Sequence, residues 1–154
     1  MKGIGVQVWR DGRRYEGEFV DGLMCGFGLY RFADGKTYEG FYLNDKKHGW
    51  GIYTWQDGKQ YRGWWVLGKQ DGYGVYLSLS NADEVKYGLW HNGKKTTWLD
   101  YEQMRQVQSN RILAESDKGL SKEQKERMSF ESPLDFDVKA ADVKKRIEKV
   151  KKHF

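Results

Sequence analysis

The sequence predicts an all-β repeat sheet, a single elongated antiparallel meander of hairpins, followed by a C-terminal α-helical extension. Three observations predict it. Tyr-x-Gly recurs at Tyr15–Gly17, Tyr38–Gly40 and Tyr61–Gly63, always 23 residues apart. Gly-x-Gly (Gly26/Gly28, Gly49/Gly51, Gly72/Gly74) and Asp-Gly (Asp11-Gly12, Asp34-Gly35, Asp57-Gly58) repeat with the same period. All but one of the 19 glycines, and most of the aromatic residues, precede residue 99. A period of this length marks a repeat architecture, and the change in composition places a boundary near Trp98.

The hairpins come first. "GFGLYRF" and "TYEGFYL" are short, aromatic-rich segments bounded by turn residues, and such segments favour strands. Asp-Gly between them marks a tight turn. Of two registers, a three-residue Ala33-Asp34-Gly35 loop with a left-handed glycine is preferred to a two-residue Asp-Gly loop. It pairs Phe32 with Lys36 and Tyr30 with Tyr38. It also pairs Trp9 with Arg13, Trp55 with Lys59, and Tyr53 with Tyr61. Each turn would then carry an aromatic–cation contact.

In this register one face carries Gly28, Tyr30, Phe32, Tyr38, Gly40 and Tyr42, then Gly51, Tyr53, Trp55, Tyr61, Gly63 and Trp65. The other carries Phe27, Leu29, Trp50, Ile52, Trp64, Val66, Tyr73 and Val75. Each hairpin touches only its neighbours. A single layer with two apolar faces cannot bury both by itself, and exposed aromatic surface marks a binding site or awaits a cover. The first strand, Ile4–Trp9, is an open edge where a second copy could pair.

The repeats end unevenly. "GIGVQVWRDGRR" aligns with "GFGLYRFADGKT" and gives a leading half repeat. "KYGLWHNGK" aligns with "YRGWWVLGK" as a degenerate last strand, with Lys86 in the tyrosine position. The repeat domain therefore spans residues 1–98, with three full units between these ends. Residues 99–154 form a helical extension. A first helix runs from about residue 100 to 116, capped by Asp100 or Thr97, with Tyr101, Met104, Val107 and Leu113 as its apolar stripe. Ser121 to Gln124 has the spacing of a capping box. A break falls around Pro133. A second helix over "DVKAADVKKRIEKVKKHF" places Val143, Ile147, Val150 and Phe154 on one side. Such thin stripes suggest an extended, anchoring arm, with the first helix capping the end of the sheet.

Composition narrows the function. The formal charge of +5 is divided about evenly between the two regions, which is not the footprint of a nucleic-acid binder. A single cysteine, Cys25, suits a reducing compartment. No apolar stretch is long enough to span a membrane or serve as a signal core, so a cytoplasmic protein is expected. Gly-x-Gly here runs into a strand, whereas a phosphate loop needs a strand-to-helix turn. His48, His91 and His153 lack carboxylate or cysteine partners at metal spacing. His48 is expected in a loop, bonded to turn backbone, and Cys25 is expected to be structural. No catalytic site, cofactor or metal is expected.

The Tyr-x-Gly, aromatic, Gly-x-Gly and Asp-Gly pattern resembles the MORN repeat (membrane occupation and recognition nexus) over about residues 3–94. The family's His-Gly is kept only at His48-Gly49, and Lys2, Cys25 and Asp71 take the equivalent positions. The resemblance implies a non-enzymatic scaffold or adaptor in a cytoskeletal, axonemal, ciliary or cortical assembly, sometimes dimeric. Its partner segment, such as an amphipathic helix, would lie on an aromatic face. The expected contact residues are Tyr30, Phe32, Tyr38, Tyr42, Tyr53, Trp55, Tyr61, Trp65 and Trp90. The alternative is a peripheral module for anionic phospholipid, with Lys46, Lys47, Lys69, Lys94 and Lys95 supplying the charge.

Overall fold

The computed structural model describes residues 2–78, 85–106 and 133–152, with side chains from residue 138 onward in the last segment. Nine strands pair in sequence order as one antiparallel meander. They are β1 (Lys2–Val8), β2 (Arg14–Val20), β3 (Leu23–Arg31), β4 (Thr37–Leu43), β5 (Lys46–Thr54), β6 (Lys59–Val66), β7 (Lys69–Ser78), β8 (Val85–His91) and β9 (Lys94–Leu99). A C-terminal helix, α1 (Pro133–Lys151), follows. The expected fold class is therefore found.

Two kinds of turn alternate. At the Asp-Gly turns the three-residue loop is borne out. Phe32 N–H donates to Lys36 C=O at 2.9 Å, and Trp9–Arg13 and Trp55–Lys59 repeat that bond at the same distance. Gly12, Gly35 and Gly58 take the left-handed conformation, with φ of 96°, 93° and 87°. The aspartate then accepts the backbone N–H two residues on, as Asp34 does from Lys36 at 3.1 Å. Only the first of these turns has the expected aromatic–cation contact, Arg13 lying 5.0 Å from the Trp9 ring. All three cations pair with their own aspartate, Arg13 with Asp11 at 2.8 Å, Lys36 with Asp34 at 2.9 Å and Lys59 with Asp57 at 3.8 Å. The broad, planar guanidinium reaches the ring while it holds the carboxylate, whereas the compact ammonium goes to the full charge.

The other turns, between β2 and β3, β4 and β5, β6 and β7, and β8 and β9, are two-residue loops with both residues at positive φ. The sequence reading missed β9. Its signal was Asn92-Gly93, the dipeptide such turns favour. Asp100 does cap a helical stretch at residues 101–106: its carboxylate accepts Gln103 N–H at 2.8 Å, and the Gln103 side chain accepts Asp100 N–H at 3.0 Å. The remainder of the first helix and the Ser121–Gln124 box lie outside the described residues.

The glycines form a line across the sheet. Gly5, Gly17, Gly28, Gly40, Gly51, Gly63, Gly74 and Gly88 stand in consecutive register from β1 to β8. Tyrosine rings occupy the missing side-chain space. A Cβ on Gly28 would come within 2.2 Å of the Tyr15 ring, and one on Gly51 within 2.3 Å of the Tyr38 hydroxyl. A Cβ on Gly63 or Gly74 would come within 2.4 Å of Tyr61. Each tyrosine is fully buried, and its hydroxyl donates to a backbone carbonyl three residues ahead: Glu18, Phe41 or Trp64. The first glycine of each Gly-x-Gly has a different job. Gly26, Gly49 and Gly72, at φ of 102°, 107° and 106°, make the bulge that shifts the register once per repeat.

The face opposite the tyrosines packs Phe27, Phe41, Trp50, Trp64 and Tyr73 with Met104 and with Ala140, Val143 and Ile147 of α1. The helix therefore lies on the sheet, against β1, β2 and β3, instead of extending as an arm. Among its described side chains, Ala140, Val143 and Ile147 are buried and Val150 is half-buried. Charge adds to this packing. Lys139 lies 3.3 Å from Glu18, Lys144 2.7 Å from Glu39, and Lys151 3.0 Å from Glu16. Glu18 stands where the next two repeats have Phe41 and Trp64. It is buried, accepts Phe27 N–H at 2.9 Å, and also lies 4.0 Å from Arg146. In the third repeat Arg62 and Trp64 replace the acids, and among the described residues the basic helix has no ion pair with the sheet beyond the second repeat.

Two predictions follow from packing and charge. Gly51→Ala forces the Tyr38 ring off its seat and is expected to cost about 3 kcal/mol. Gly3→Ala, with nothing within 4 Å, should change stability by less than about 0.5 kcal/mol in urea unfolding. For Glu16, burial opposes ionisation, but Arg14 and Lys151 outweigh it and hold the carboxyl below its ordinary value of 4.5. A depressed folded-state pKa contributes stability that is present above 4.5 and lost as pH falls through the lower folded value. The protection factors of the α1 amides, corrected for the slower intrinsic exchange in acid, should therefore fall on acidification below that point, and Glu16→Gln should remove part of the dependence.

Candidate functional site

The tyrosine face is built in two tiers. The lower tier is Tyr15, Tyr38 and Tyr61, each seated on its glycine pair. Above it, rings from neighbouring hairpins touch in an unbroken series: Trp9–Tyr30 at 5.7 Å, Tyr30–Phe32 at 4.7 Å, Phe32–Tyr53 at 5.8 Å, Tyr53–Trp55 at 4.8 Å and Trp55–Tyr76 at 5.8 Å. A parallel row sets Tyr42, Trp65 and Trp90 edge-on to the lower tyrosines, at 5.5, 5.7 and 4.9 Å. Edge-to-face and tilted pairs suit the ring quadrupole. The described members of this cluster all belong to strands and hairpin ends.

The structure brings all nine expected contact residues onto this face, but at different depths. Tyr38 and Tyr61 are fully buried, so they form the floor and cannot meet a partner; a glycine pair lies under each ring, and Tyr42, Trp65 or Trp90 stands against it. Tyr30, within the upper row, is also buried, as are Tyr42, Trp65 and Trp90 of the parallel row. Phe32, Tyr53 and Trp55 are half-buried and present ring surface. Trp9 and Tyr76 extend the row and were not anticipated. The 23-residue period that links Phe32 to Trp55 also reaches Trp9, and the one that links Tyr30 to Tyr53 reaches Tyr76.

The lysines divide as well. Lys46, Lys69 and Lys94 are exposed at the starts of β5, β7 and β9, all on one rim of the sheet. Lys95 lies 4.2 Å from the exposed Trp98 ring. Lys47 turns inward. Its Nζ lies over Trp65, Tyr38, Phe32 and Tyr53 at 5.2, 5.6, 5.7 and 5.9 Å from the ring centroids. Burial lowers its pKa from the ordinary lysine value. Beside it runs a groove of about 520 Å³ lined by Trp9, Tyr30, Phe32, Tyr42, Lys46 and Lys47, among others.

His48 sits in β5, not in a loop, and is buried. Its bond is the expected kind: Nδ1 accepts the N–H of Leu67, in the turn of the next repeat, at 2.9 Å. Asp71, at the equivalent position, accepts the N–H of Asn92 at 3.2 Å. The backbone repeats this link, Gly68 N–H to Lys47 C=O and Gly93 N–H to Gln70 C=O, both at 2.8 Å. These bonds tie each repeat to the one after it. Cys25, the first-repeat equivalent, is buried. Among the described residues no cluster of three or more His, Cys, Asp or Glu side chains could hold a metal ion, and no helix is long and apolar enough to cross a membrane.

A one-layer sheet of 23-residue hairpin units with an aromatic face is an interaction-repeat architecture. The family model of the MORN repeat matches residues 15–37, 38–60 and 61–78, in phase with the structural units. Residues 15–78 therefore carry three consecutive MORN repeats. MORN repeats are in general non-catalytic modules for protein or membrane interaction. No curated protein matches the chain.

The inter-repeat bond of His48 is testable. His48→Leu leaves the Leu67 N–H without its acceptor and should cost about 0.5–1.5 kcal/mol. His48→Asn keeps an acceptor and should recover part of that loss in the same unfolding experiment.

Proposed function

We propose that this protein is a non-enzymatic scaffold or adaptor that binds a segment of a partner protein across its tyrosine face, within a larger, cytoskeletal or axonemal assembly. One observation carries this reading: the two faces are finished differently. The face opposite is covered by the chain's own helix, with Val143 and Ile147 almost wholly out of solvent. The tyrosine face ends in half-buried Phe32, Tyr53 and Trp55 beside an open groove. Half-exposed, rigid rings held by a packed floor are the kind of group that dominates binding energy at protein interfaces. No catalytic role is assigned to any residue.

The membrane reading draws on the lysine rim. Lys46, Lys69 and Lys94 share it with Asp45 and Asp71, which dilutes the field that an anionic surface would meet. The other two candidate lysines are occupied with rings. The protein-binding reading is therefore preferred.

The test is co-purification from the source cell with Phe32→Ser and Trp55→Ser, alone and together. These positions are half-exposed, so each variant should stay folded, with a loss of about 1–2 kcal/mol. Loss of the partners retained by the parent chain is the expected result. Unchanged partners on a folded double variant would overturn the reading. Salt-sensitive binding to phosphatidylserine vesicles that survives the double variant would favour the membrane alternative instead.

A further inference from the structure

Two donors at the aromatic groove are left unsatisfied, one on Lys47, which lines it, and one on Trp65, whose ring lies under Lys47. Lys47 is enclosed by four rings, and among the described residues no carboxylate pairs with it. Lys36 and Lys59 have Asp34 and Asp57, and the helix lysines have Glu16, Glu18 and Glu39. The second donor is the indole N–H of Trp65, which is buried without a hydrogen-bond partner. Trp65 is also one of the rings under Lys47. A buried donor left unmade is costly, and so is an ammonium that exchanges water for ring faces alone.

The acids nearby are already engaged. Asp45, which lines the same groove, accepts Met24 N–H at 2.8 Å. Arg13, also lining it, is bonded to Asp11 at 2.8 Å. Arg13 is balanced by Asp11, and Asp45 offsets one of the two lysines, Lys46 and Lys47, so the groove stays net positive and its complement is an anion. Aromatic faces repel an anion, whereas an ammonium and an indole N–H attract one. An anion is therefore acceptable at one point in the groove and disfavoured on either side of it, where the rings want apolar groups.

We propose that Lys47 and the Trp65 indole N–H form a carboxylate-receiving notch in the aromatic groove, so that the partner segment is one that sets an aspartate or glutamate among apolar side chains. This rests on the groove-binding function proposed above and names the chemistry of its occupant. The flexible lysine stem lets the ammonium turn from the rings to the incoming carboxylate. The repeats show that the lysine is not needed for folding. Met24 holds the equivalent place in the previous repeat, packed in the same cluster, and Gln70 holds it in the next.

The experiment uses the full chain and a probe independent of any partner. Hexanoate is titrated against the indole N–H signals in NMR, with hexanamide as the uncharged control and Trp65→Phe to assign the peak. The expected result is a saturable shift of the Trp65 signal with hexanoate, at least tenfold weaker with hexanamide, lost in Lys47→Met and kept in part in Lys47→Arg. Equal effects of the two probes, or a response that survives Lys47→Met, would overturn the notch. In parallel, Lys47→Met should lose the partners that Phe32→Ser/Trp55→Ser loses. If the ring variants release partners and Lys47→Met keeps them, the groove stands and the notch falls. If neither releases them, the groove reading itself falls. A change of oligomeric state in Lys47→Met would assign the notch to a second copy. Loss of phosphatidylserine-vesicle binding alone would assign it to a lipid headgroup. Either result would overturn the proposal.

Discussion

A tyrosine ring lying flat on two facing glycines is the contact on which the rest of this structure depends. The ring needs both glycines, because a Cβ on either strand would occupy its volume. The glycines in turn need the ring, because bare backbone in a single-layer sheet gains little from packing and loses much entropy on folding. The hydroxyl closes the unit by bonding a carbonyl three residues ahead. Each unit therefore fixes strand pairing, register and face at once, and the 23-residue period is its translation along the sheet. In the last repeat Lys86 replaces the tyrosine, and Trp90 and Trp98 bring their rings to Gly88 instead. The sheet ends within one strand of that substitution, at β9.

Covering one face follows a different physics from building the sheet. Among its described side chains the helix contributes three small or medium apolar groups, Ala140, Val143 and Ile147, to the shared core. Acidic sheet residues add to this in placing it. Glu16 and Glu39 stand one repeat apart on the same face, and Arg62 takes the next place in that series. A basic helix is attracted over the first two repeats and repelled from the third. Glu18 completes the arrangement as a carboxylate in an aromatic slot, tolerable because Phe27 N–H, Lys139 and Arg146 converge on it. Charge here gives docking specificity more than net stability, since burying such groups is itself costly.

Much of this was legible in the sequence, because the repeat states its anchors three times. Period, strand order, turn type, register and the division of aromatics between faces could all be read from Tyr-x-Gly, Gly-x-Gly and Asp-Gly. What could not be read was what depends on one side chain choosing between neighbours distant in sequence. The fold-back of the helix needs Lys139, Lys144 and Lys151 to meet acids more than a hundred residues earlier, and a thin apolar stripe gives no hint of that. Depth was also hidden. Tyr38 and Phe32 have the same aromatic character and share a face, yet one is floor and the other surface. The two roles of Gly-x-Gly were hidden for the same reason, since a bulge and a ring seat both ask for glycine.

The informative positions for function are those where one repeat departs from the others. Met24, Lys47 and Gln70 occupy one place in successive units, with the backbone around them unchanged in its pairing. A repeat sheet extended by identical units would offer the same apolar face along its length and could hold a partner segment in several registers. A single charged group among rings removes that degeneracy, because a segment slid by one unit would put its own polar group against aromatic faces and leave Lys47 unanswered. The same logic governs the opposite face, where Glu18 breaks a series otherwise filled by Phe41 and Trp64 and fixes where the helix lies. On both faces the repeats provide area and rigidity, and the departures from repetition provide register.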